Sequence, residues 1–94
     1  MLEIYVANGR IGGVSEIHGL CEFIKQSTLL AILDLSNNAI GDVGVSAIAK
    51  AIKQSQSLTT VHLSWNFIGY VGVCAIAEAI KQRKSSTNVK VCWN

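Results

Sequence analysis

Apolar positions recur along this chain in two rhythms. In Leu33-Asp34-Leu35 and Val61-His62-Leu63 apolar and polar residues alternate, the period of a strand with one buried face. The outer two residues of each triplet are predicted to face inward and the middle one outward. Further along, Val45, Ile48, Ala49 and Ile52 fall at i, i+3, i+4 and i+7, the stripe of an amphipathic helix. Val73, Ile76, Ala77 and Ile80 repeat that stripe, as do Ile17, Leu20, Cys21 and Ile24. The pattern therefore predicts strand–helix units, each with half a core, that must stack to bury their apolar faces.

The unit has a fixed length. Shifting the chain by 28 residues superposes 30–57 on 58–85 with 17 of 28 positions identical. The tail 89–94 falls on 61–66. The first 29 residues form a looser copy, in which Ile4, Val6, Ile11 and Gly12 match Leu33, Leu35, Ile40 and Gly41 at a spacing of 29. Ile24 to Ser27 match at 28, so one residue is inserted between. Small residues in the helical stripe are expected because successive helices must lie close to keep pace with strands about 4.8 Å apart. Gly41 and Gly69 are expected to supply backbone freedom at the turn into each helix.

Leu30-x-x-Leu33-x-Leu35-x-x-Asn38-x-Ile40-Gly41 and Leu58-x-x-Val61-x-Leu63-x-x-Asn66-x-Ile68-Gly69 resemble leucine-rich repeats. The 28-residue period and the Ala-Ile-Ala-x-Ala-Ile helix resemble the ribonuclease-inhibitor subtype, found also in NOD-like receptors, Ran GTPase-activating protein and tropomodulins. The resemblance covers the whole chain and is strongest from 30 to 85. It implies an α/β solenoid of about three and a quarter repeats (1–29, 30–57, 58–85 and a partial 86–94), with parallel strands on a concave face and helices on a convex one. It also implies protein binding as the activity. Asn38 and Asn66 match the family's asparagine ladder, whose side chains bond backbone groups after each strand; Gly9 stands at that place in the first unit.

Composition narrows the class further. Half of the 94 residues are apolar, 15% are charged and there is no proline, which suits a packed domain and not a solvating linker. No apolar run is long enough to span a bilayer, the N-terminus lacks a secretory pattern, and the net charge of +2 does not argue for nucleic acid. Cys21, Cys74 and Cys92 form no CxxC pair and, with His18 and His62, no zinc-site spacing. The expectation is a cytoplasmic protein with reduced thiols, no metal and no cofactor, and no partner among nucleic acids or membranes.

Stacking in register would gather outward residues into columns. Tyr5, Asp34, His62 and Lys90 form one, Asn8, Asn37, Trp65 and Trp93 a second, and Glu3, Ile32, Thr60 and Asn88 a third. Exposed tryptophans are favoured interface anchors, and Phe67 and Tyr70 lie in the adjacent turn. Tyr5, Asp34, His62, Trp65, Lys90 and Trp93 are therefore the expected partner-binding residues. Asp34 beside His62 offers acid–base chemistry in principle, but no nucleophile or oxyanion-binding arrangement accompanies it; solvated charge pairing is the reading adopted. Gly9-Arg10-Ile11-Gly12-Gly13 aligns with a repeat turn, not a phosphate loop. Lys25, Lys53 and Lys81 recur at 28 and form a basic row on the helices. Residues 1–47 carry net −3 and residues 48–94 net +5.

Solenoids need terminal caps, and none is evident before the first strand or after Asn94. The expectation is a non-enzymatic interaction module, either a short array or a fragment, that self-associates through an uncapped edge. The alternatives are a purely structural segment of a longer array and a GTPase-activating regulator resting on Arg10.

Overall fold

The computed structural model describes residues 2–9, 13–83 and 87–91. Strand and helix alternate: β1 (Leu2–Tyr5), α1 (Val14–Gln26), β2 (Leu30–Asp34), α2 (Gly41–Gln54), β3 (Thr60–His62), α3 (Tyr70–Gln82) and β4 (Asn88–Lys90). All four strands are parallel and lie in chain order. Such a sheet needs a crossover between neighbours, and each helix supplies one. α2 packs between α1 and α3. The fold is the α/β repeat solenoid that the period predicts.

The core lies between sheet and helices. Leu33, Leu35, Val61 and Leu63 are fully buried beneath Val45, Ile48, Ala49 and Ile52. Leu30 and Leu58, the first leucines of their repeats, are equally enclosed. Ile17, Cys21 and Ile24 complete the layer from α1 while Leu20 is half-buried. The third stripe departs from expectation: Ile76 is buried and Ile80 half-buried, but Val73 is 42% exposed and Ala77 is exposed as well. Their counterparts Val45 and Ala49 are covered by α3. No helix among the described residues covers α3 on its other side.

Helix ends are closed by recurrent polar contacts. Ser27 Oγ accepts from Leu29 N (3.3 Å) and Leu30 N (3.0 Å), and Ser55 Oγ accepts from Leu58 N (3.2 Å). Arg83 stands at the third of these positions and reaches back one repeat, its guanidinium donating to Ile52 O (2.7 Å) and Leu58 O (2.9 Å). Burial lowers its pKa, although it remains a cation.

The two turn glycines differ. Gly41 has φ +76°, where a side chain is disfavoured, whereas Gly69 has φ −98°. What Gly69 supplies is space and a donor. Its N–H donates to Asp42 Oδ1 (2.6 Å), and a β-carbon added there would sit 3.0 Å from Asp42 Oδ2. Asp42 Oδ1 also accepts from Gly72 N (3.1 Å). A carboxylate on the first turn of α2 thus caps α3, where four N–H groups lack helical partners.

Candidate functional site

The helix-free face of the sheet carries the columns that the repeat predicts. Tyr5 pairs with Asp34, Asp34 with His62, and His62 with Lys90. Glu3, Ile32, Thr60 and Asn88 form the neighbouring column. Neighbours in a column are a strand spacing apart, so their side chains share one surface. That surface grades from acidic at β1 and β2 to basic at β4.

Local bonds organise its acidic end. Tyr5 Oη donates to Glu3 Oε1 (2.7 Å), and this bond, with slight desolvation and the charges of Glu3 and Asp34, raises the phenol's pKa. Burial tends to raise the pKa of Asp34. It is outweighed by the Ser36 backbone N–H (3.0 Å), the Ser36 hydroxyl and the nearby His62, so the carboxyl titrates below its ordinary value. The Asp34 carboxylate is therefore fixed as an anion and acceptor, which is the opposite of what a general acid needs at neutral pH.

The turns after the strands form a second surface. Their shape rests on Asn38 and Asn66, which are almost wholly buried. Asn38 Nδ2 donates to Leu35 O (2.7 Å), Val6 O (3.0 Å) and Ser36 O (3.2 Å). Asn66 Nδ2 donates to Leu35 O (2.8 Å) and Ser64 O (3.2 Å), while its Oδ1 accepts from Asn38 N (2.8 Å) and Ile40 N (3.4 Å). Each asparagine therefore satisfies backbone groups of its own repeat and of the one before, where water has no access.

These turns pass twice through the left-handed region. The first such position is Asn8 (φ 60°), Asn37 (φ 58°) and Trp65 (φ 63°); the second is Ala39 (φ 54°) and Phe67 (φ 56°). Asparagine is at home there, and Asn37 Nδ2 donates to Asn8 Oδ1 (2.6 Å) along the column. Tryptophan and phenylalanine are not, because a left-handed conformation costs about 1–2 kcal/mol for an ordinary L-residue. Both are nevertheless displayed, with Trp65 55% and Phe67 78% exposed. Tyr70 (75%) and Val71 (66%) adjoin them at the start of α3.

Sequence reasoning identified Trp65 as outward, and the repeat offset from Asn37 was the available signal. It missed Asp42, whose carboxylate bonds the backbone on either side of Tyr70, because the bond crosses 27 residues. Trp93, Cys92 and Arg10 lie outside the described residues, and so does Asn94. Cys21 is buried, which raises its thiol pKa despite nearby Lys25, whereas Cys74 is exposed. Among the described residues no cluster of three or more His, Cys, Asp or Glu side chains could hold a metal ion, and no helix is long and apolar enough to cross a membrane.

Comparison with known proteins agrees with this architecture. The family model described as leucine-rich repeat matches residues 26–49 and 54–77, which together make 48 of the 94 residues. Both matches run from the end of one helix through strand and turn into the next helix. No curated protein matches the chain.

Proposed function

The chain belongs to the leucine-rich-repeat family, whose repeats generally mediate protein–protein contact, and on that premise we propose a non-enzymatic interaction module. Its 28-residue units fit the ribonuclease-inhibitor-like subtype. Its binding surface combines the helix-free column of Tyr5, Asp34, His62 and Lys90 with the aromatic rim of Trp65, Phe67 and Tyr70; Trp93 is assigned to the same rim on sequence alone. The partner is another protein, and the graded charge of the column orients it.

The observation that carries this reading is the placement of Trp65 and Phe67. Both are bulky, exposed and left-handed at repeat positions where Asn37 and Ala39 serve the same turn. The left-handed backbone belongs to the repeat turn, whereas the exposed aromatic side chains are not needed by the core, and exposed aromatics are strong interface anchors. The test replaces them with turn-compatible residues. Trp65→Asn and Phe67→Asn should retain helical circular dichroism and cooperative melting while losing proteins that the native chain captures and cross-links in cell extract. Capture of the same proteins by native and variant chains would sink the proposal.

Self-association is a second reading, favoured by the exposure of Val73 and Ala77 on α3 and by the incomplete burial of Val89 and Val91. Light scattering across a concentration series decides it. A mass near twice the chain's 10.1 kDa supports the dimer, and a monomer at all concentrations removes it.

A further inference from the structure

The two grooves between successive helices on the outer face are unequal. That between α2 and α3 has a volume of about 230 Å³, and that between α1 and α2 about 630 Å³. The glycines at the two junctions report the cause. A β-carbon on Gly72 would lie 2.5 Å from Asp42 Oδ1 and 2.7 Å from Val45 Cγ1, so α3 sits hard against α2. One on Gly44 would lie 3.6 Å from Ile17 Cδ1, an ordinary contact. The Asp42 cap draws α3 inward, while Gly13 occupies the matching position in the first repeat and provides no carboxylate to α2. The extra residue of the first repeat falls beside this junction.

The wider groove has an apolar floor of Ile17, Cys21, Ile40 and Ala47. Val14 and Val43 stand at one end of it, each 89% exposed. Lys25 and Lys50 border it, whereas Lys53 lines the narrower groove between α2 and α3. Glu22, the acidic residue on its lining, lies 3.3 Å from Lys25 Nζ and is offset by it. His18 is a further donor on the rim. The apolar lining, on which Lys50 is the cation left once Lys25 and Glu22 offset each other, complements a segment with apolar side chains on one face and carboxylates beside them, the helix-in-groove mode of recognition.

We propose that the groove between α1 and α2 is a second docking site, for an acidic amphipathic segment of another protein. It lies on the opposite side of the sheet from the Tyr5–Lys90 column, so the two sites stand or fall separately.

The test is an NMR titration of the full chain, labelled with ¹⁵N, by two capped 15-residue peptides. Both carry leucine at helical spacing, with glutamate at the flanking positions in one and lysine in the other. Expected are saturable shifts of Ile17, Cys21, Ala47 and Lys50 amides with the glutamate peptide, at a dissociation constant of about 1 mM or tighter. The Trp65 and Phe67 amides should stay in place. Lys50→Glu and Val43→Asp, both at exposed helical positions, should each weaken binding about tenfold or more, with unchanged circular dichroism. Four results would overturn the proposal: no saturable shift, equal binding of the lysine peptide, unaltered binding by both variants, or concentration-dependent shifts of the groove without peptide, which would assign it to a second copy of the chain.

Discussion

Replacing Asn66 by alanine tests the physical account of the rim most directly, because Asn66 stands between Trp65 and Phe67 and is fully buried. Among the described residues the perturbation removes four hydrogen bonds, but they are not equivalent. Leu35 O keeps Asn38 Nδ2, and Ser64 O keeps Asn37 N at 2.8 Å. Those two acceptors remain partnered, so each loss costs about 0.5–1.5 kcal/mol at most. The Asn38 N–H, bonded to Asn66 Oδ1 at 2.8 Å, is left buried without its acceptor, and such a donor costs about 1–3 kcal/mol. The longer bond from Ile40 N adds little. The sum is about 3 kcal/mol, against a total of roughly 5–14 kcal/mol for a domain of this size. Urea unfolding followed by circular dichroism measures it, and the midpoint should fall at unchanged slope. On heating, the transition should drop on the order of 15 °C. A loss below about 1 kcal/mol would refute the reasoning, because it would mean that water reaches the Asn38 amide and the turn is not a buried polar lattice.

Other outcomes follow from the same contacts. Asp42→Ala should destabilise by about 1–2 kcal/mol through loss of the cap on Gly69 and Gly72, while Asp42→Asn, which keeps the acceptor, should recover most of it in the same urea experiment. Asp34 has a folded pKa below its unfolded value, so its charge contributes stability above about pH 4, and that contribution is lost as pH falls through the folded pKa. Asp34→Asn should therefore unfold more easily than the native chain at neutral pH, and the difference should close as pH falls through the folded pKa; a gap independent of pH would rule out the charge as its origin. Iodoacetamide followed by peptide mass mapping should modify exposed Cys74 well before Cys21, whose thiol is buried with a raised pKa. Equal rates would mean that α1 opens readily from the core.

The register of the helix-free face was legible because a two-residue strand period and a 28-residue repeat leave one way to align Tyr5, Asp34, His62 and Lys90. The buried stripe of α2 was legible for the same reason. The same logic failed for α3, where Val73 and Ala77 repeat the stripe but lack a covering helix among the described residues. A periodic pattern records which face can be buried, and only a neighbour buries it. Gly69 failed differently. Its alignment with Gly41 suggested a shared left-handed turn, yet its φ is negative and its role is to approach Asp42.

By itself, then, the sequence determined the repeat, the strand–helix order and the core leucines, all set by local periodicity multiplied by stacking, while the parallel sheet and the asparagine ladder were read from the family resemblance. Tertiary structure alone decided what happens where repeats differ. It put Trp65 and Phe67 into left-handed turns that Asn37 and Ala39 occupy one repeat earlier. It let the Asp42 carboxylate draw α3 inward, and it left a wider groove between α1 and α2 where that carboxylate has no counterpart. These features depend on distances between residues about a repeat apart in the chain. Periodicity fixes which residues become neighbours, but the size and charge of each side chain set how closely those neighbours approach.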